Sequence, residues 1–144
     1  GRVGAIVGPS GSGKSTLLGV VSGLIKADSG SVSLGSSTEP GRFVGPPTRS
    51  DVAWVPQGAH LLPERSVIDN VMMGRLSDGS TLYEAFRSSE HALHQVGLED
   101  LAKARASTLS GGEIQRVALA RAISSDRPIL IADEPTASLD RLSA

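Results

Sequence analysis

The chain has 144 residues, which suffices for one ordinary hydrophobic core, and its 14 Lys and Arg against 15 Asp and Glu leave a formal net charge of −1. This balance predicts no broad cationic surface of the kind that binds nucleic acid or an anionic membrane. The absence of cysteine excludes disulfides and thiolate metal sites, and no apolar run approaches the ~18 residues that a membrane helix needs. We therefore expect any role at a membrane to depend on a partner.

The first predicted elements are a strand, a glycine-rich loop and a helix. The apolar run 3–7 is typical of a short buried strand, and leucine and valine recur at helical spacing over 14–24. Between them the pattern G-x-x-x-x-G-K-[ST] is fitted by Gly8, Pro9, Ser10, Gly11, Ser12, Gly13, Lys14, Ser15 and, just after it, Thr16. A helix start offers unpaired N–H donors, so this order of elements predicts a phosphate site. A plain Gly/Ser turn would explain the glycines but has no use for a lysine followed by two hydroxyls.

A loop and then a second strand follow. The stretch 35–50 is rich in Gly, Pro and Ser, which predicts a surface connection. The apolar run 52–55 predicts a buried strand that ends just before Gln57.

The middle of the chain carries helical signals. Ser66 and Ser80 are candidate N-caps of two helices, and Gly97 is a candidate helix stop. These signals predict a helical insertion between strands.

A further helix start is predicted at the sequence Leu109-Ser110-Gly111-Gly112-Glu113. Ser110 and Glu113 have the spacing of a capping box. Capping does not explain two glycines at the first helical positions, each of which weakens a helix by up to about 1 kcal/mol relative to Ala. Bare N–H groups at a helix start suit a second phosphate site.

Two acidic residues follow the last predicted strand. The apolar run 129–132 leads directly into Asp133 and Glu134. Ligands of open α/β sheets bind at the carboxyl ends of strands. Removing two carboxylates from water at a strand end costs free energy. This placement therefore favours a functional site over a plain acidic turn.

Together with Ser138-Leu139-Asp140, these motifs resemble the nucleotide-binding domain of a transporter-type ATP-binding-cassette (ABC) ATPase, in the family's order. The resemblance implies an α/β fold with a P-loop NTPase core, a largely parallel sheet and an inserted α-helical subdomain. It implies that the core comprises 1–57 and 109–144, with the helical subdomain and the approach to the signature helix in 58–108. It also implies that the chain is truncated at both ends, so that the family's adenine-stacking aromatic and switch histidine lie outside it.

The resemblance implies a Mg²⁺-dependent ATPase that binds and hydrolyses ATP, with the fragment alone poorly active. Lys14, Gln57 and Glu134 would be catalytic, and Glu134 would orient and deprotonate the attacking water. Mg²⁺ would be held through Ser15, Gln57 and Asp133. ATP would be bound by residues 8–16 and, from a second copy, by Ser110, Gly111, Gly112 and Asp140.

The resemblance also implies the partners. These are a second nucleotide-binding domain and a transmembrane permease subunit, which would hold the chain on the cytoplasmic face of the cell membrane, and no direct nucleic-acid partner is expected. The segment 61–71 resembles the transporter type of helical subdomain. One alternative is a soluble ABC protein of the translation-factor type that acts on ribosomes. Another is a regulatory module that has lost turnover, against which the intact Lys14, Gln57, Asp133 and Glu134 count.

Overall fold

The protein is described here by a computed structural model that covers residues 3–35 and 43–135. The chain divides into two compact units, residues 1–52 and 53–144. Within the described ranges, no helix combines the length and the apolar content needed to span a bilayer.

The described part of the first unit contains one helix and a pair of short strands. Helix α1 spans Lys14–Val21, strand β1 Leu34–Gly35 and strand β2 Phe43–Gly45. The two strands pair antiparallel. The predicted surface connection over 35–50 therefore contains a strand, because backbone pairing with β1 outweighs the local Gly, Pro and Ser content.

The structure differs from the prediction of a buried strand over 3–7. This segment forms no strand, and the side chains of Val3 and Val7 are 101% and 93% exposed. A strand is stabilised by ladder hydrogen bonds and by burial of a face, and among the described residues of the first unit no strand pairs with this segment.

Helix α1 ends earlier than the apolar spacing to Leu24 suggests. Gly23 has a φ of +75°, a left-handed conformation that glycine adopts without steric cost and that stops the helix after the C-cap Ser22. The turn is closed by the amide of Ile25, which donates to the carbonyl of Gly19 at 2.9 Å.

The second unit alternates between sheet and helices, and its first strand begins at the boundary between the units. Its elements are β3 Val52–Val55, α2 Val67–Leu76, α3 Leu82–Gln95, α4 Gly111–Ser124 and β4 Ile129–Ala132, with short 3-10 turns at Glu99–Leu101 and Ala106–Thr108. Strands β3 and β4 pair in one sheet. The strands predicted over 52–55 and 129–132, and the helices predicted between them, are thereby confirmed.

Helix α4 contributes to two hydrophobic clusters of this unit. Val117 and Ala120 pack with apolar side chains of α2 and α3, such as Val71 and Leu93. Ala118 and Ala122 pack with Ala53 and Val55 of β3. Burying a valine or leucine side chain stabilises a fold by about 1.5–3 kcal/mol, so α4 is fixed by apolar contacts on both sides.

Capping boxes start α2, α3 and α4. Ser66 caps α2 with Asp69, and Ser110 caps α4 with Glu113, as predicted. The N-cap of α3 is Thr81 and not the predicted Ser80. The reason is that Glu84, the acid that completes the box, lies three residues beyond Thr81. Gly97, with a φ of +66°, follows the last residues of α3 as predicted.

We predict that Gly74→Ala destabilises the second unit. A Cβ at position 74 of α2 would lie 2.5 Å from the backbone oxygen of Arg121 in α4, so the two helices would have to separate. Overpacking of this kind costs about 1–3 kcal/mol, which exceeds the gain of up to about 1 kcal/mol from alanine's helix propensity.

The expected result is a lower Tm in thermal unfolding followed by circular dichroism. Gly111→Ala is the matched control, because no atom lies within 4 Å of a Cβ built there, and its Tm should not fall. Equal Tm values for Gly74→Ala and the wild type would contradict the close helix crossing.

Candidate functional site

The glycine-rich loop of the first unit leaves backbone N–H groups open to an anion. Gly11 and Gly13 have φ values of +78° and +87°, which only glycine adopts readily. Gly13 is the N-cap of α1 and provides no side-chain acceptor. The first amides of α1 are therefore without a side-chain cap, and an anion can take that place.

Lys14 folds over this loop. Its Nζ donates to the carbonyl oxygens of Gly8 and Pro9, both at 2.9 Å. A Cβ at position 8 would lie 3.0 Å from Oγ of Ser12, so the loop is tight at its start. With Ser15 and Thr16 exposed in the next turn, the loop combines amides, one ammonium and two hydroxyls, a donor set that fits the phosphates of a nucleotide.

The second unit brings two of the predicted catalytic residues together. Nε2 of Gln57 donates to Oε2 of Glu134 at 2.6 Å. Gln57 follows β3 and Glu134 follows β4, and these strands are hydrogen-bonded neighbours. Glu134 has a φ of +48°, an uncommon conformation for a residue with a side chain, and it is exposed. The strand pairing thus places an amide and a carboxylate side by side at one edge.

Asp133 is fixed more firmly than its neighbour. Its amide donates to the carbonyl of Val55 at 2.9 Å, and the residue is only 7% exposed. Strand β4 itself is buried on one face only, because Leu130 is 43% exposed while Ile131 is 7% exposed. The sheet edge therefore holds Asp133 rigidly through the backbone and leaves Glu134 accessible.

The donor set suits Mg²⁺ that arrives with a nucleotide. No cluster of three or more His, Cys, Asp or Glu occurs within the described ranges. Mg²⁺ is usually held by one or two carboxylates together with waters and substrate phosphates. Asp133 offers one carboxylate. The side chain of Gln57 donates to Glu134 through Nε2, so its Oε1 is available as a further oxygen ligand. These oxygens fit the ion without a complete protein cage.

The start of α4 is held by a tight hydrogen-bonded capping box. The amide and the hydroxyl of Ser110 both donate to Oε2 of Glu113 at 2.7 Å, and the amide of Glu113 donates to Oγ of Ser110 at 3.4 Å. These bonds, led by the one from the hydroxyl, lower the pKa of Glu113. The fold does not require glycine at position 111, which lacks a positive φ and has open space at its Cβ position. The small residue at this helix start is therefore available for a close approach from outside.

The predicted site residues fall into three groups. The loop and Lys14 belong to the first unit, Gln57 meets Glu134 beside Asp133, and Ser110 to Gly112 begin α4. Asp140 lies outside the described residues. The roles assigned to all of these residues remain predictions.

Sequence reasoning did not single out Arg121. Its Nη2 donates to the carbonyl oxygen of His60 at 3.1 Å, only three positions beyond Gln57. A signal was present, because Arg121 interrupts an otherwise apolar run that includes Ala118 and Ala122 on α4.

Comparison with known proteins decides the family. The family model described as ABC transporter matches residues 1–137. The chain belongs to this family. The resemblance inferred from the motifs is thereby confirmed.

Named relatives agree with this assignment. The chain is 40% identical to the phosphonates import ATP-binding protein PhnC of Agrobacterium fabrum over 100% of its own length and 54% of the relative's. It is 42% identical to the lipoprotein-releasing system ATP-binding protein LolD of Nitrobacter hamburgensis, covering 94% of this chain and 60% of the relative. The chain thus spans little more than half the length of these relatives.

A solved structure supports the fold. A bacterial ABC transporter cassette, solved as a dimer, is 31% identical with a TM-score of 0.75, covering 92% of this chain and 60% of that one. The predicted P-loop NTPase fold with an α/β core is therefore confirmed.

We predict that the stabilising effect of Glu113 depends on pH. Because its pKa in the folded chain lies below the ordinary value of 4.5, the effect is present above that value and is lost as the pH falls through the lowered pKa. Glu113→Ala should have a lower Tm than the wild type at pH 7, with a difference that shrinks below pH ~4. Thermal unfolding over this pH range tests the prediction.

Glu90→Ala serves as a control, because Glu90 is an exposed helical glutamate outside a capping box. A Tm difference for Glu113→Ala that stays constant down to pH ~3 would contradict the role of the carboxylate.

Proposed function

We propose that this chain is part of an ATP-binding subunit that hydrolyses ATP and thereby powers an ABC transporter. The observation that carries the proposal is the 2.6 Å bond between Gln57 and Glu134, directly beside the buried Asp133. An amide that orients a carboxylate next to a fixed metal ligand is what water activation for phosphoryl transfer needs. The relatives are named as transporter subunits, so action on ribosomes is not proposed.

The residues divide the chemical work as follows. Lys14 and the amides of the glycine-rich loop bind the phosphates and balance their charge. Asp133, with Ser15 and Gln57, would hold Mg²⁺, and the ion would neutralise charge on the transferring phosphoryl group. Glu134 accepts the proton of the attacking water, and Gln57 keeps the Glu134 carboxylate oriented through the Nε2 bond.

The conformation of Glu134 suits its accessibility. Its left-handed backbone turns the residue out of the direction of β4, whereas Asp133 stays bonded to β3. Neighbouring acids therefore differ in environment, one buried and one exposed. This difference supports a static ligand role for Asp133 and a proton-accepting role for Glu134.

The start of α4 would serve a second copy of the cassette. We propose that Ser110, Gly111 and Gly112 contact the γ-phosphate bound to the glycine-rich loop of the other copy, together with Asp140. Two facts support this role: the fold does not require Gly111, and no hydrogen bond from the amides of 111 and 112 reaches another described residue. Unpaired amides at the start of a 14-residue helix stabilise an anion. ATP would then bind between two copies and drive their association.

A permease subunit would dock on the helices of the second unit. Large apolar side chains are exposed at Met73 on α2 and at Leu82, Tyr83 and Phe86 on α3, the last three between 41% and 74%. Leu82 and Phe86 are one helical turn apart on α3, and adjoining exposed apolar groups of this kind mark interaction surfaces. The helical subdomain over 58–108, between core segments 1–57 and 109–144, would present this surface to the permease on the cytoplasmic face of the membrane.

We predict that Glu134→Gln, in the full-length protein, keeps nucleotide binding and loses most turnover. The amide retains the size of the side chain but cannot accept the proton, and a general base contributes about 10² to 10⁴ in rate. Nucleotide affinity by calorimetry and phosphate release under saturating ATP are the two measurements. Glu90→Gln, on the exposed part of α3, should leave both unchanged, and near wild-type turnover in Glu134→Gln would overturn the role of Glu134.

We predict that Ser110→Arg abolishes ATP-dependent dimerisation while ADP still binds. An arginine at the helix start would fill the space that the second copy's phosphate needs. Light scattering of the full-length protein with and without ATP measures association, and ADP binding shows that the chain remains folded. Ser107→Arg, at an exposed position of the preceding 3-10 turn, should dimerise normally. Normal association of Ser110→Arg would refute binding between two copies.

A further inference from the structure

We propose that Arg121 is a positioning residue that holds the segment after Gln57 in place and thereby keeps Gln57 oriented on Glu134. The inference rests on the proposed function, because it assigns a residue that supports the same site. Arg121 acts through the backbone and does not itself belong to the group of residues that would touch the nucleotide.

A short series of contacts connects α4 with Glu134. Nη2 of Arg121 donates to the carbonyl oxygen of His60 at 3.1 Å. Three residues earlier, Nε2 of Gln57 donates to Glu134 at 2.6 Å. Gly58, between them, has a φ of +77°, so the chain turns sharply directly after Gln57.

Ala59 and Leu61 of this segment pack against the two hydrophobic clusters, but its backbone has few other hydrogen-bonded anchors. Asn70 of α2 fixes its far end by accepting from the amide of Leu62 at 2.7 Å and donating to the carbonyl of Leu62 at 3.0 Å. Among the described residues, no hydrogen bond other than that from Arg121 reaches the backbone of 58–61. Arg121 is therefore the backbone anchor that lies closest to Gln57.

Arg121 differs in its partner from four other arginines of the second unit. Arg75, Arg87, Arg105 and Arg127 each pair with a carboxylate within 4 Å. No such pair is formed by Arg121 among the described residues, although burial lowers its pKa. A half-buried charge is costly unless it is hydrogen-bonded. The bond to His60 therefore satisfies the guanidinium and restrains the loop at the same time.

The Arg121 side chain is closely packed on the α2 side and borders open space elsewhere. A Cβ at position 74 of α2 would lie 3.2 Å from Cγ of Arg121. The glycine at this position therefore leaves space for the Arg121 side chain. A cavity of about 240 Å³ also borders Arg121, with Trp54, Met73 and Ser77 among its lining residues. This space can accept an uncharged side chain of similar length, so Arg121→Met removes the donors without a steric clash.

The first test measures kinetics in the full-length protein. Arg121→Met should lower kcat for ATP hydrolysis by about 10-fold to 100-fold, the loss expected from a displaced group, with a smaller change in KM. Arg121→Lys, which keeps a donor, should retain most of kcat. Arg87→Met, the same change on the exposed part of α3, should behave as the wild type.

A double-mutant comparison separates positioning from general damage. In a Gln57→Ala background, adding Arg121→Met should change kcat less than about 2-fold, because the residue that Arg121 positions is already gone. If the two substitutions together lower kcat by the product of their separate effects, the proposal is overturned. If Arg121→Met does not fold, Arg121→Leu, which also lacks a donor, replaces it in every arm.

The last test measures the mobility of the segment after Gln57 directly, in the absence of nucleotide. Residues 1–144 contain no cysteine, so His60→Cys in a background free of other cysteines can carry one nitroxide label. The bond uses the backbone carbonyl of residue 60 and survives this change. Arg121→Met should sharpen the spectrum by freeing the label, and Arg87→Met should not. A wild type without ATPase activity refutes the proposed function, whereas an active wild type with equal spectra and kcat in both variants refutes the role of Arg121.

Discussion

The pairing of β3 with β4 is the constraint on which the rest of the site depends. It fixes Asp133 through the bond from its amide to Val55 and sets Glu134 within reach of Gln57, which is 77 residues away in the sequence. A carboxylate and an amide so far apart could not meet reliably through loops alone, because loop ordering has a large entropic cost. The apolar contacts of Ala118 and Ala122 with Ala53 and Val55 keep the strand and α4 together.

Helix α4 has a double role because its two sides are buried against different partners. Val117 and Ala120 face the helical cluster, while Ala118 and Ala122 face the sheet. Its N-terminus carries the Ser110 capping box, and its last turns carry Arg121. Any shift of this helix therefore reaches the proposed second phosphate site and the segment after Gln57 together.

Local patterns predicted the parts of the fold that local physics determines. Ser110 was identifiable as an N-cap because Glu113 stands three residues on, and Ser66 because an apolar helical pattern follows it. The strands at 52–55 and 129–132 were identifiable from apolar runs. The choice of Ser80 over Thr81 overlooked the position of Glu84. The run 3–7 had strand composition, but a strand also needs a partner. The bond from Arg121 to His60 joins residues 61 positions apart, so it depends on a loop path that no periodicity encodes.

The missing side chain at Gly74 has a mechanical consequence. It lets the backbones of α2 and α4 approach so closely that a single added carbon would lie 2.5 Å from a carbonyl oxygen. Close-packed protein interiors transmit strain with little compression. A displacement of α2 would consequently move α4 with it, because few side chains lie between the two backbones at Gly74 that could rearrange to absorb the motion.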